Sequence, residues 1–161
     1  MTASEPSIRI AKGENEPAAP AGEAVILVAS SAWMEATDWR ALGYVAVVEQ
    51  ARMAVDLPIA IADWSPSARI AEFDRLVAMF GAAAGKLVDG LARLLEEALE
   101  VLHQDERLAV AHRVAGLAGT LGFAALGREW LRAAEGHQPS ADYLHRITAH
   151  ALATIAQVRG R

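Results

Sequence analysis

Val110, Val114, Leu117 and Leu121 recur at i, i+4, i+7 and i+11. Only an α-helix turns that spacing into one buried stripe. At about 100° per residue, from 3.6 residues per turn, His112 falls roughly opposite the stripe. Its neighbours one turn away, or on its own face, are Ala109, Ala115, Gly116 and Gly119. Glycine inside a helix costs about 1 kcal/mol relative to alanine, and this short segment carries Gly116 and Gly119. A helix that accepts that cost beside an exposed imidazole keeps a flat, open approach for something that must reach the ring.

The rest of the C-terminal region is also written in helical periods. Ser65-Pro66 places a capping side chain before a proline suited to a first helical turn. Phe73, Leu76, Val77 and Phe80 form an i, i+3, i+4, i+7 stripe, which Gly81 and Gly85 interrupt. Leu87, Leu91, Leu94, Leu95, Ala98, Leu99 and Leu102 continue an apolar face toward His103, and Asp105 is a candidate cap for the helix that carries His112. Gly122 separates that helix from one over 123–134. Gly136 and Pro139 mark the last turn, and a final helix over 140–158 buries Leu144, Ile147, Ala151, Leu152 and Ile155. Short connections between such helices predict a mainly α fold, an antiparallel up-and-down four-helix bundle over 65–161. About 95 residues can bury roughly two-thirds of their unfolded surface, enough for such a bundle to fold alone.

The N-terminal part reads differently. Residues 1–22 are rich in Pro, Glu, Ala and Gly without hydrophobic period and predict a disordered tail. Residues 23–64 predict a small β-α-β-type extension. Ala24–Ala29 is a strand, Ser30 or Ser31 caps a helix through Leu42 that Gly43 ends, and Tyr44–Val48 and Pro58–Trp64 are further strands.

The His112 segment resembles the histidine-containing phosphotransfer (HPt) domains of bacterial phosphorelays. Their signature of Ala-His-x-Leu-Lys-Gly, a glycine ten positions after the histidine and an apolar residue four further on is matched by Ala111, His112, Val114 in place of leucine, Gly116, Gly122 and Leu126. The lysine of the signature is absent, and Ala115 stands in its position. The resemblance covers about Ser67 to the C-terminus. It implies a phosphorelay intermediate, a carrier without autonomous catalysis, in which His112 takes a phosphoryl group from a receiver-domain aspartate and passes it to another receiver. The partners it implies are response-regulator receivers or a hybrid histidine kinase. No cofactor would be bound by the chain itself, with Mg²⁺ coming from the receiver. Ala109, Arg113, Ala115, Gly116 and Gly119 would form the docking surface. Arg113 and Arg128 are the candidates to meet phosphoryl oxygens in place of the missing lysine. The alternative reading is a pseudo-HPt module that docks a receiver or kinase without being phosphorylated.

The extension, in turn, resembles the first third of a receiver domain, with Asp63 at the position of the phosphate-accepting aspartate. Receivers hold Mg²⁺ with acidic residues after their first strand, where this chain has Ala29-Ser30-Ser31. A hard cation needs charged oxygen ligands, so the extension is read as a degenerate receiver remnant or a structural or docking element, not as a working acceptor.

Other motifs point to less. A net charge of −5 without a dense Lys/Arg cluster argues against nucleic acid or anionic lipid as partner. The absence of cysteine excludes disulfides, thiolate metal sites and cysteine nucleophiles. No metal site is expected, because His145 and His150 lack the i, i+4 spacing of paired ligands, and with His103 and His137 they are assigned surface or capping roles. Gly81–Lys86 has three residues between its glycines and Leu87 after the lysine, which breaks the phosphate-loop pattern. Glu96, Glu97 and Glu100 form a solvated helix face, and the four tryptophans are packing residues. No apolar run reaches the ~20 residues of a membrane span, and a cytoplasmic location is expected.

Overall fold

The computed structural model describes residues 6–14, 23–137 and 140–160. A three-stranded parallel sheet precedes a mainly helical remainder. The sheet comprises β1 (Ser7–Ala11), β2 (Glu23–Ala29) and β3 (Ala46–Glu49), in spatial order β1-β2-β3. The helices are α1 (Ser31–Ala36), α2 (Met53–Trp64), α3 (Pro66–Phe80), α4 (Ala82–Glu100), α5 (Arg107–Thr120), α6 (Ala124–Ala134) and α7 (Ala141–Arg159).

From Ala24 to Ala29 the central strand β2 is apolar because both its faces are covered, as expected for a buried parallel strand. Ala24 and Ile26 join the large core shared with the helices, whereas Val25, Leu27 and Ala29 pack under Tyr44, Trp33, Met34 and Trp39. The alternation follows from the two-residue period of a strand. β1 comes from the stretch expected to be a tail. Ile8 and Ile10 there align with Ala24 and Ile26 of β2, and Arg9 pairs with Glu23 at 2.9 Å. Five residues are too short for composition to reveal a strand whose partner lies beyond them. The rest of the expected tail lies outside the described residues.

Two further N-terminal expectations are corrected. The helix after Ser30 stops at Ala36, although Ser30 caps it as expected, accepting from the Trp33 amide at 3.2 Å. The segment Pro58–Trp64 is helical, the C-terminal half of α2. Its alternating isoleucines look like a strand, but Leu57, Ala60, Ile61 and Trp64 stand at i, i+3, i+4 and i+7, and these four turn inward. Asp63 therefore lies on a helix and not at a strand end, and its carboxylate meets Arg128 of α6 at 3.0 Å. Asp63 does not hold the strand-end position that the receiver resemblance gave it.

From Ser65 on, the chain is helical as expected, with five helices rather than four. Ser65 caps α3 by accepting from the Ala68 amide at 3.4 Å, with Pro66 in the first turn. Gly81, at φ +65°, breaks α3 from α4, while Gly85 stays inside α4. Ser140 caps α7 through the Tyr143 amide at 3.1 Å. Asp105 caps nothing, because α5 begins two residues later with Glu106 at the N-cap and no side-chain cap. α4 packs against α3, α5 and α7, and α6 packs against α5 and α7. Their shared core includes Leu91, Leu95, Val114, Leu126, Trp130, Leu144 and Ile147.

The N-terminal module is fastened to these helices. The Tyr143 hydroxyl donates to the Val45 carbonyl at 3.1 Å, and Arg40 grips Glu129 through Nε and Nη2 at 2.9 and 3.1 Å while stacking 4.0 Å above Trp39. His150 is buried and its Nε2 lies 3.1 Å from the Trp64 carbonyl, at the α2–α3 junction. Of the surface or capping roles expected for it, burial excludes the first, and the contact with the last carbonyl of α2 is of the second kind. His103, His137 and His145 are exposed. The tryptophans do pack, with Trp130 wholly buried and donating to Thr148 at 3.1 Å.

Candidate functional site

The site is built on α5. Val110 and Val114 are buried and Leu117 is half-buried, which fixes the rotation of the helix about its axis. That rotation leaves His112 exposed, with Ala109, Arg113, Gly116 and Gly119 exposed around it. An added Cβ at Gly116 or Gly119 would meet nothing within 4 Å, so the surface beside the ring is bare backbone facing open space.

Ala115 departs from this group. It is half-buried and packs against the core. The reason is the close approach of α6. The chain reverses through Gly122, at φ +87°, a backbone conformation that glycine adopts without steric cost. Gly127 of α6 then lies so near α5 that a Cβ there would stand 3.1 Å from the Ala115 carbonyl oxygen and 3.3 Å from the Gly119 amide nitrogen. Small residues along this seam let the two backbones meet, and α6 backs α5 at Ala115 and Gly119, one and two turns after the exposed histidine.

Two exposed leucines that the sequence reading passed over stand on α5 and α6. Leu108 is 50% exposed and lies one turn before His112 on its own face. Leu131 is 41% exposed and follows Gly127 by four residues, on the row of α6 that faces α5. With a rise of about 1.5 Å per residue, Leu131 stands about 6 Å beyond Gly127 and His112 about 4.5 Å before Ala115, which brings the two to similar heights. Leu108 was legible as an apolar residue off the buried stripe. Leu131 was not, because its position depends on how α6 folds back.

Both candidate phosphoryl-stabilising arginines have carboxylate partners. Arg113 reaches Glu97 of α4 at 3.3 Å, and Arg128 reaches Asp63 of α2 at 3.0 Å. Both guanidinium groups are about three-fifths exposed, and pairs so open to water contribute between nothing and about 1 kcal/mol. Such weak pairs leave either arginine able to turn to a stronger anion. Glu96, Glu97 and Glu100 are exposed on α4, as a solvated face requires.

α5 thus presents one accessible imidazole, a patch of bare backbone and an exposed leucine, with Arg113 next to His112 in sequence. No helix among the described residues is long and apolar enough to cross a membrane. No family model matches this chain, and no curated protein or solved structure matches it either.

Proposed function

We propose that this chain is a phosphorelay intermediate whose phosphoryl acceptor is His112. The observation that carries the reading is the exposed ring on α5 beside two glycines that open onto solvent. In this reading α4, α5, α6 and α7 make up the antiparallel four-helix bundle of an HPt-like domain, with α3 lying alongside, and the chain works in the cytoplasm. A receiver domain presents an aspartyl phosphate to the flat surface. An unprotonated imidazole nitrogen of His112 attacks phosphorus in line, the N–P bond forms, the P–O bond to the aspartate breaks, and the aspartate leaves as a carboxylate. The reverse step on a second receiver regenerates the free ring. Transfer of this kind depends on alignment and on neutralising charge at the equatorial oxygens. Rigid backing by α6 supports alignment. Mg²⁺ enters with the receiver, and Arg113 or Arg128 turns from its carboxylate to the phosphoryl group. Leu108 and Leu131 give the receiver an apolar rim to seat on.

A second reading, a docking module that is not phosphorylated, is favoured by one feature. The position of the signature lysine is Ala115, and that residue is partly buried against α6. The discriminating experiment offers receiver domains carrying ³²P-labelled aspartyl phosphate to the wild type and to His112→Ala. Label in the wild type alone supports the carrier. Binding of the receiver without label supports the docking module, and neither label nor binding refutes both.

A further inference from the structure

The two arginines that could meet a phosphoryl group do not stand alike toward His112. On α6, Gly127 faces α5, since a Cβ there would lie 3.1 Å from the Ala115 carbonyl oxygen. Arg128 and Glu129 lie about 100° and 200° round α6 from that row. Both are held from the N-terminal module, Arg128 by Asp63 at 3.0 Å and Glu129 by Arg40 at 2.9 Å. Arg128 thus belongs to the seam between α6 and that module. On α5, Ala115, where α6 approaches, lies about 60° from His112 in one direction, and Arg113 about 100° in the other. The imidazole stands between the α6 seam and Arg113, whose Nη1 reaches Glu97 of α4 at 3.3 Å. Resting on the assignment of His112 as phosphoryl acceptor, we propose that Arg113, and not Arg128, neutralises the phosphoryl oxygens. Glu97 is then the positioning residue that holds Arg113 in reserve until the phosphoryl group arrives.

Exposure and charge argue for this choice. The Glu97 side chain is 47% exposed, so water screens its hold on Arg113. Asp63 is 25% exposed and lines a small cavity with Trp64, Arg69 and His150, which gives Arg128 the better shielded partner. A phosphoryl group carries more negative charge than a carboxylate and offers its oxygens to the planar fork of a guanidinium. Arg113 therefore gains by exchanging Glu97 for it, whereas Arg128 gives up more to do so. His112 and Arg113 are consecutive on α5, so the exchange asks only that one long side chain rotate.

The test measures labelling of His112 from two donors. One is a receiver carrying ³²P-labelled aspartyl phosphate. The other is phosphoramidate, which is too small to dock. There the bond from the ring nitrogen to phosphorus forms, the N–P bond of the donor breaks, and ammonia departs. Arg113→Ala should slow labelling from both donors at least about tenfold, short of the ~10²–10³ that a donor enclosed away from water is worth. The loss should exceed that in Arg128→Ala, with thermal melts of Arg113→Ala as in the wild type. Arg113→Lys keeps the charge without the fork and should recover part of the rate. Glu97→Gln should speed labelling by up to about fivefold, the most that so open a pair is worth. Wild-type labelling in Arg113→Ala, a loss confined to the receiver donor, a larger loss in Arg128→Ala or slower labelling in Glu97→Gln overturns the proposal and leaves His112 as acceptor. A wild-type chain labelled at His112 by neither donor overturns that assignment and this proposal with it.

Discussion

Replacing Gly116 and Gly119 by alanine should make the protein more stable and less able to exchange phosphoryl groups. Both positions lie inside α5, are exposed, and offer an added methyl group open space, with nothing within 4 Å. With no steric cost, the gain is the difference in helix propensity, about 0.8–1 kcal/mol at each site, and thus about 2 kcal/mol for the pair if the two add. For a chain of this size 1 kcal/mol moves the midpoint by about 2–4 °C, so the double variant should melt about 4–8 °C higher. Functionally the same methyls stand one and two turns from His112, where a partner would seat. Displacing a reacting group by about an ångström can cost two orders of magnitude, so label transfer from a phosphorylated receiver should slow between about ten- and a hundredfold. Thermal melts and the transfer rate are measured on one preparation. A variant that is stabilised yet transfers at the wild-type rate refutes a docking role for the bare backbone. A variant with unchanged stability refutes the claim that these glycines cost α5 anything.

Tyr143 makes stability depend on pH at the alkaline end. Burial pushes its phenol well above the ordinary tyrosine range, the nearby Glu129 carboxylate adds to the rise, and Arg40 opposes it. Since the folded state holds a proton that the unfolded state gives up near pH 10, the stabilisation is complete below that pH. It is lost above it at about 1.4 kcal/mol per unit. Tyr143→Phe should flatten that slope and, by orphaning the Val45 carbonyl, cost about 1–2 kcal/mol at neutral pH, both readable from urea titrations between pH 7 and 11. An unchanged alkaline slope would show that the phenol is not what titrates. Arg40→Ala should cost about 1–3 kcal/mol, because it leaves the largely buried Glu129 with only Arg132, at 3.9 Å, for a partner. Adding Glu129→Ala should restore part of the loss, and a single-variant cost below about 0.5 kcal/mol would mean that the Arg40–Glu129 pair does not help to hold the N-terminal module.

The helices of the C-terminal region were legible because each carries its own evidence. α5 and α7 announce themselves through stripes such as Val110–Val114 and Leu144–Ile147–Ala151–Ile155, and Ser65 caps where a cap was expected. His112 could be placed on the outside from the same periodicity. What stayed hidden depends on partners distant in sequence. Ser7–Ala11 becomes a strand only beside β2. Pro58–Trp64 satisfies both a two-residue and a four-residue period, and burial of Ala60 and Trp64 against the core decides for the helix. His150 appears as an ordinary polar residue between Ile147 and Ala151 until α7 is placed against the α2–α3 junction, where Trp64 offers its carbonyl. Val77 and Phe80 fail in the opposite sense. Their spacing is that of a buried face, yet both are exposed.

The most direct test of the account locates the phosphoryl group. The protein is incubated with phosphorylated receiver domains, starting with those encoded beside its own gene. It is then digested at mildly alkaline pH, where phosphohistidine survives, and its peptides are sequenced by mass spectrometry. The account predicts one modified residue, His112, and no modification in His112→Gln. A phosphoryl group on His103, His137, His145 or His150, or none on any histidine from any receiver that binds, would contradict it.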